Sequence, residues 1–119
     1  MLSNWPYPPK SCPADKLDSP PDGAHLTVAG LVILRQRPGT AKGVIFITLE
    51  DETGFVNVIV WRSLYERYRR AVISGRLLRV TGRLQRSSKV IHIIAEQIED
   101  ISYMLDTLLN VPIEPSTKT

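Results

Sequence analysis

Apolar and polar positions alternate along five stretches of the chain, and clusters of glycine, proline and small polar residues separate them. Leu26–Arg35 is apolar and β-branched around Gly30, where a bulge or sharp bend is expected. A basic loop follows, Arg37-Pro38-Gly39-Thr40-Ala41-Lys42-Gly43. Val44–Glu50 predicts a second strand, and Asp51-Glu52-Thr53-Gly54 a hairpin turn with glycine at its left-handed position. Phe55–Trp61 alternates as a third strand. Ser63-Leu64-Tyr65-Glu66 has the spacing of a capping box, predicting a helix that runs to about Ile73 and stops near Gly75. Arg76–Gln85 and Val90–Gln97 predict two more strands, joined by the loop Arg86-Ser87-Ser88-Lys89. Ser102–Asn110, with Met104, Leu105, Leu108 and Leu109, predicts a short amphipathic helix.

The flanks read differently. Trp5-Pro6-Tyr7-Pro8-Pro9 and Ser19-Pro20-Pro21-Asp22-Gly23 exclude helix and inner strand, so residues 1–25 are expected to be a proline-rich extended lead-in, partly disordered, with Trp5 and Tyr7 as candidates to dock on the domain. Residues 26–101 form the domain, 102–111 the C-terminal helix and 112–119 a loose tail. Three strands, a helix and two strands is the order of an all-β, five-stranded Greek-key barrel of the OB-fold class. An SH3-like barrel lacks the mid-chain helix, and a ferredoxin-like fold needs an earlier one.

Composition narrows the class. At 119 residues, 43% hydrophobic and 23% charged, the chain has the material for one compact domain. No run approaches the roughly 20 apolar residues of a membrane span, and the first 25 residues lack a signal peptide's pattern. A single cysteine, Cys12, excludes an internal disulfide framework, and His25 and His92 have no metal-ligand spacing. The expectation is a cytoplasmic domain without metal, cofactor or membrane. The formal net charge of +3 conceals an asymmetry. Thr27–Ala95 carries 12 lysines and arginines against 4 acids, and arginine, whose planar fork suits phosphate and base edges, supplies most of the bases. A basic middle points to a polyanionic partner; the alternative is a solvated positive surface.

Alternation sorts the strands into faces. Val56, Val58 and Val60, with Ile45, Ile47 and Leu49, form the expected inward set. Phe46 and Thr48 then share the outer face with Phe55, Asn57, Ile59 and Trp61. OB-folds bind oligonucleotides on the outer side of strands two and three, stacking bases on aromatics. Phe46 and Trp61 are candidates for stacking, and Asn57, beside Thr48, for a hydrogen bond to a base edge. The alternative is that Phe46 or Trp61 packs under the terminal helix or the lead-in. Arg35, Arg37 and Lys42 surround the first loop, and Arg83, Arg86 and Lys89 the loop between strands four and five. These six are candidate phosphate contacts. Arg67, Arg69 and Arg70 read mainly as a solvated helix face beside Glu66. His92 is expected to face outward. Glu50-Asp51-Glu52 reads as turn and not as metal site, and Cys12 has no nucleophile's partners. No triad, phosphate loop or acid–base pair stands out.

Two resemblances extend this reading. Gly43-Val44-Ile45-Phe46-Ile47-Thr48-Leu49-Glu50-Asp51-Glu52-Thr53-Gly54, with Val56-Asn57-Val58, resembles the anticodon-binding type of OB domain, also found in class II aminoacyl-tRNA synthetases. The resemblance implies base contacts at Phe46 and Asn57. A longer likeness runs through Pro13-Ala14-Asp15-Lys16-Leu17, Val28-Ala29-Gly30-Leu31-Val32, Arg35-Gln36-Arg37-Pro38-Gly39-Thr40-Ala41-Lys42-Gly43, Glu66-Arg67-Tyr68-Arg69-Arg70 and Gly82-Arg83-Leu84-Gln85-Arg86. Over about Cys12 to Leu105 the chain is similar to the C-terminal region of bacterial error-prone DNA polymerases of the C family. Arg62 stands where many relatives have proline, and Ser87-Ser88 replaces a glycine-richer loop. The polymerase portion and its three metal-holding aspartates are absent, so the chain is expected to be a fragment that does not itself transfer nucleotides. The resemblance implies an OB domain that guides single-stranded template DNA, with RNA not excluded. Expected partners are the rest of a polymerase chain or accessory proteins of damage-tolerant synthesis. The rival expectation is an OB barrel whose groove takes a protein partner, supported by the exposed apolar set Phe55, Ile59 and Trp61.

Overall fold

The computed structural model describes residues 11–37, 43–87 and 90–105. Five strands close into a barrel in the order β1-β2-β3-β5-β4: β1 His25–Gln36, β2 Ile45–Asp51, β3 Gly54–Val60, β4 Leu77–Ser87 and β5 Val90–Asp100. All pairings are antiparallel except β3 with β5. This is an OB-fold. β1 is long enough to serve two neighbours, pairing with β4 over His25–Leu31 and with β2 over Leu31–Gln36. The change of partner is possible because Gly30 has no side chain: a Cβ there would sit 2.6 Å from the Glu50 carbonyl oxygen. The register shift itself comes slightly later than expected, between Val32 and Leu34.

The inward residues of β2 and β3 fill the barrel: Ile45, Ile47, Leu49, Val56, Val58 and Val60 are all buried. Leu78, Val80, Leu84, Ile93 and Ile98 complete this core from β4 and β5, and Val72 enters it from the inter-strand helix. At roughly 1.5–3 kcal/mol for each fully buried aliphatic side chain, this set is the main source of stability.

The predicted single helix is two short ones, α1 Arg62–Arg67 and α2 Arg69–Ser74, broken where Tyr68 leaves helical geometry (φ −116°, ψ 34°). The capping box does not form. Trp61, in extended conformation, occupies the cap position without a side-chain bond, which places Ser63 inside the helix. Glu66 instead faces Arg62 one turn away, Nε to Oε2 3.5 Å. Residues 103–105 are helical, and the rest of the expected terminal helix lies outside the described residues.

The expectation of an extended lead-in is corrected over its described part. Ala14–Lys16 forms a tight helical turn, and Leu17 inserts into the barrel core, 5% exposed. Hydrogen bonds to the barrel hold its first residues. The Cys12 N–H donates to the Thr27 carbonyl (2.7 Å) and the Ala14 N–H to Asp51 Oδ2 (2.8 Å). Asp51 is buried and also accepts from the Thr53 N–H (2.7 Å), the Thr53 hydroxyl (2.7 Å) and the Gly54 N–H (3.0 Å). One carboxylate thus closes the β2–β3 turn and anchors the lead-in to it. Trp5 and Tyr7 lie outside the described residues.

Candidate nucleic-acid interface

Closing the barrel in this register lines up the outward side chains in lateral rows. One row runs Gln36, Phe46, Ile59, Ile94, Arg83 across all five strands. The next runs Leu34, Thr48, Asn57, His92, Gln85. Phe46 and Ile59 are half-buried neighbours, and Trp61, two residues beyond Ile59, is 50% exposed. The face therefore carries an apolar strip beside a polar one. In the polar strip the Thr48 hydroxyl donates to Asn57 Oδ1 (3.2 Å). That contact fixes the exposed amide with its oxygen occupied, leaving the NH₂ group to offer two donors to an incoming acceptor. His92 lies beside Asn57, on the outer side as expected.

The basic residues divide less simply than their positions in the chain suggest. Arg83 stays in the outer row and exposed. Arg35 does not: it is in register with Ile47, an inward position. Its Nε donates to the Val72 carbonyl (2.5 Å) and its Nη2 to that of Gly75, so it closes the end of α2. Burial lowers its pKa from the usual guanidinium value, against an opposing pull from Asp100. Arg86, paired with Ile91, also lies on the inward side. Its Nη2 donates to the carbonyls of Pro20 (2.8 Å), Leu17 (3.1 Å) and Asp18 (3.2 Å), and its backbone N–H to Asp22 Oδ1 (2.7 Å). Arg35 through Nε and Nη2, and Arg86 through Nη2, thus bond backbone carbonyls on the inward side, away from the outer face where phosphate contact was expected of them. Lys42 and Lys89 lie outside the described residues.

Arg37 is free of such a role but turns toward the helix and not toward the sheet. Its Nη2 donates to the Tyr65 hydroxyl (2.9 Å), and its guanidinium carbon lies 5.2 Å from the ring centre. Arg69 approaches the same ring, at 5.6 Å. Sequence reasoning left Arg69 on a solvated face and passed over Tyr65. The signal that could have found them is helical spacing, since Arg62, Tyr65, Glu66 and Arg69 fall on one side of a helix. Among the described residues no group of three or more His, Cys, Asp or Glu side chains is placed to hold a metal ion, and no helix is long and apolar enough to cross a membrane.

An OB barrel with an aromatic and an amide on the outer side of its second and third strands has the geometry of an oligonucleotide-binding face. Residues 26–101 match the family described as OB-fold nucleic acid binding domain. The chain belongs to that family. Among curated relatives, the chain is 60% identical over 101 residues to the error-prone DNA polymerase of Ruegeria pomeroyi, covering 84% of this chain and 9% of that protein. It is 49% identical over 106 residues to the error-prone DNA polymerase of Caulobacter vibrioides, covering 89% of this chain and 10% of that protein. The chain thus spans 9% to 10% of the length of these two relatives. In fold, the OB domain is similar to asparaginyl-tRNA synthetase from Pyrococcus horikoshii, with TM-score 0.64 and 23% identity over 77% of this chain and 23% of that one. It is also similar to an OBody bound to hen egg-white lysozyme, with TM-score 0.64 and 16% identity over 80% of this chain and 97% of that one.

Proposed function

We propose that this OB domain binds single-stranded DNA and, as part of an error-prone DNA polymerase, holds the template strand during damage-tolerant synthesis. The observation that carries the reading is the paired strip on the outer face, Phe46 with Ile59 beside Thr48 with Asn57. Bases stack on Phe46 and, further along, on Trp61. The Asn57 amide donates to base-edge acceptors while Thr48 holds its orientation. Arg83 at one end of the row follows the backbone, and Arg37, turned to the helix side next to Gln36 at the other end, meets it as it leaves the sheet, with Lys42 and Lys89 adding charge. Stacking is sequence-tolerant and phosphate contact is salt-sensitive, so binding is weakly selective and falls with salt. No cofactor enters this role. It places the chain in the cytoplasm, in contact with the rest of a polymerase.

The test is fluorescence anisotropy of labelled dT and rU oligomers at low and moderate salt. Micromolar binding of dT that weakens with salt, and weakens again in Phe46→Ala, is the expected result. Equal affinity for rU would move the substrate to single strands in general. Absence of binding at low salt would refute the reading.

A second reading has its own observation. Phe55 is 61% exposed at the start of β3, on the same outer face as Trp61. Such a surface suits a protein partner, such as a polymerase accessory factor, and the OBody bound to lysozyme is an OB barrel engaged with a protein. That reading expects Trp61 fluorescence to ignore oligonucleotide.

A further inference from the structure

The helix side of the barrel rim holds an open crevice of about 580 Å³, lined by Arg37, Gly43, Ile45, Arg62, Tyr65, Glu66 and Arg69. Three guanidinium groups and one carboxylate give it a net charge of +2. The carboxylate is already engaged with Arg62 at 3.5 Å. Arg37 spends one donor on the Tyr65 hydroxyl, and among the described residues Arg69 has no carboxylate within 4.0 Å. Tyr65 thus holds two guanidinium groups against one ring, at 5.2 and 5.6 Å, with most of their donors unspent. Arginine forks fixed in this way suit the oxygens of a phosphate.

The crevice adjoins the proposed binding face. Arg37 follows Gln36, Ile45 precedes Phe46, and Arg62 follows Trp61, two residues past the end of β3. Arg37 and Ile45 are each one residue, about 3.3 Å, from the Phe46 row, and Arg62 lies three residues beyond Ile59. A strand stacked on Phe46 and Trp61 therefore reaches this rim as it leaves the sheet. Gly43 keeps the floor open: it sits at φ +86°, and a Cβ there would lie 2.6 Å from that of Arg62.

We propose that Arg37 and Arg69, positioned by Tyr65, form a subsite for internal phosphodiester groups of a single strand leaving the β2–β3 face. This inference rests on the proposed binding of single strands, and it assigns to α1 and α2 a role outside the sheet and its loops.

The experiment measures the affinity of the full chain for dT of about 4 and about 12 nucleotides as salt is varied. Arg37→Gln with Arg69→Gln is compared with Phe46→Ala and with the charge-matched control Arg70→Gln with Arg76→Gln. Circular dichroism checks that each variant folds, and Arg37→Lys with Arg69→Lys keeps the charge while removing the fork. The double glutamine variant is expected to weaken the longer oligomer most and to flatten its salt dependence by about 0.7 log units for each phosphate no longer neutralised. The control keeps the wild-type slope, the lysine pair keeps most of it, and a 5′-phosphate on the oligomer changes nothing. If the control loses as much as the double variant, the subsite is refuted while Phe46→Ala still reports on the face. Dependence on a 5′-phosphate would overturn the assignment to internal phosphates. Failure of the wild type to bind either oligomer would remove both readings together.

Discussion

Replacing Arg86 with alanine separates a structural arginine from a phosphate-binding one. In the folded chain its Nη2 reaches three lead-in carbonyls at 2.8–3.2 Å. A hydrogen bond from a charged donor contributes roughly 1.5–3 kcal/mol net. One nitrogen cannot make three full bonds, and the Asp18 carbonyl is exposed and rehydrates when the arginine is gone. The expected loss is therefore about 2 kcal/mol. If the lead-in also detached, unburying Leu17 would add about 1.5–3 kcal/mol as a ceiling. Two kcal/mol lowers the melting temperature of a domain of this size by roughly 8 °C. Urea unfolding and a thermal melt measure the stability, and anisotropy with labelled dT measures the salt slope of binding. Arg86→Ala should lower the midpoint and leave the slope unchanged. A variant as stable as the wild type, with a slope reduced by about 0.7 for one phosphate no longer neutralised, would refute the reasoning.

Three further outcomes follow from the same geometry. Gly30→Ala places a Cβ 2.6 Å from the Glu50 carbonyl and should cost about 1–3 kcal/mol in urea unfolding; no change would mean that β1 does not cross β2 at this residue. Asp51→Ala strips partners from three backbone N–H groups and should cost about 3 kcal/mol, against under about 0.5 kcal/mol for exposed Glu52→Ala. Burial first, then Asp51 and Asp15, raises the Cys12 thiol above its ordinary 9.0, so alkylation at pH 8.5 should be slower than in the urea-unfolded chain. The linkage has a definite sign. Above pH 9 the unfolded thiol ionises first, stability falls as pH rises, and Cys12→Ser should remove that decline.

The parts of this fold legible in the sequence are those governed by local period. β2 and β3 alternate cleanly because one side of each is pressed into a closed core, so Phe46, Thr48, Asn57 and Trp61 could be assigned to the outer face without coordinates. β1 broke that logic. Counting forward by twos from Val32, opposite Leu49, puts Leu34 inside and Arg35 on the outside. The extra residue between Val32 and Leu34 reverses the order, so Arg35 turns inward to α2 and Leu34 outward, 48% exposed. A bulge is fixed by the pairing strand, and its place in the chain is not a local property. The capping box failed for a related reason: β3 runs directly into α1, and Trp61 occupies the position that Ser63 would have needed. In the lead-in the prolines exclude regular elements without saying which residue docks, so the place of Leu17 was not legible. Leu17 finds its place through Asp51 and Arg86, 34 and 69 residues further along the chain. The crevice around Tyr65 joins β1 to α1 and α2 across the barrel rim, a meeting that follows from closure alone.

The central claim is that single strands lie on the outer face of β2 and β3. Backbone amide shifts of the labelled chain, followed while dT is added, test it most directly. The largest changes are expected at Phe46, Thr48, Asn57 and Ile59, extending to Trp61 and the Arg37–Tyr65 rim, with Thr53 and the lead-in around Leu17 unmoved. Changes centred on the Arg86 clamp or on Tyr103, with the Phe46–Asn57 strip silent, would contradict it.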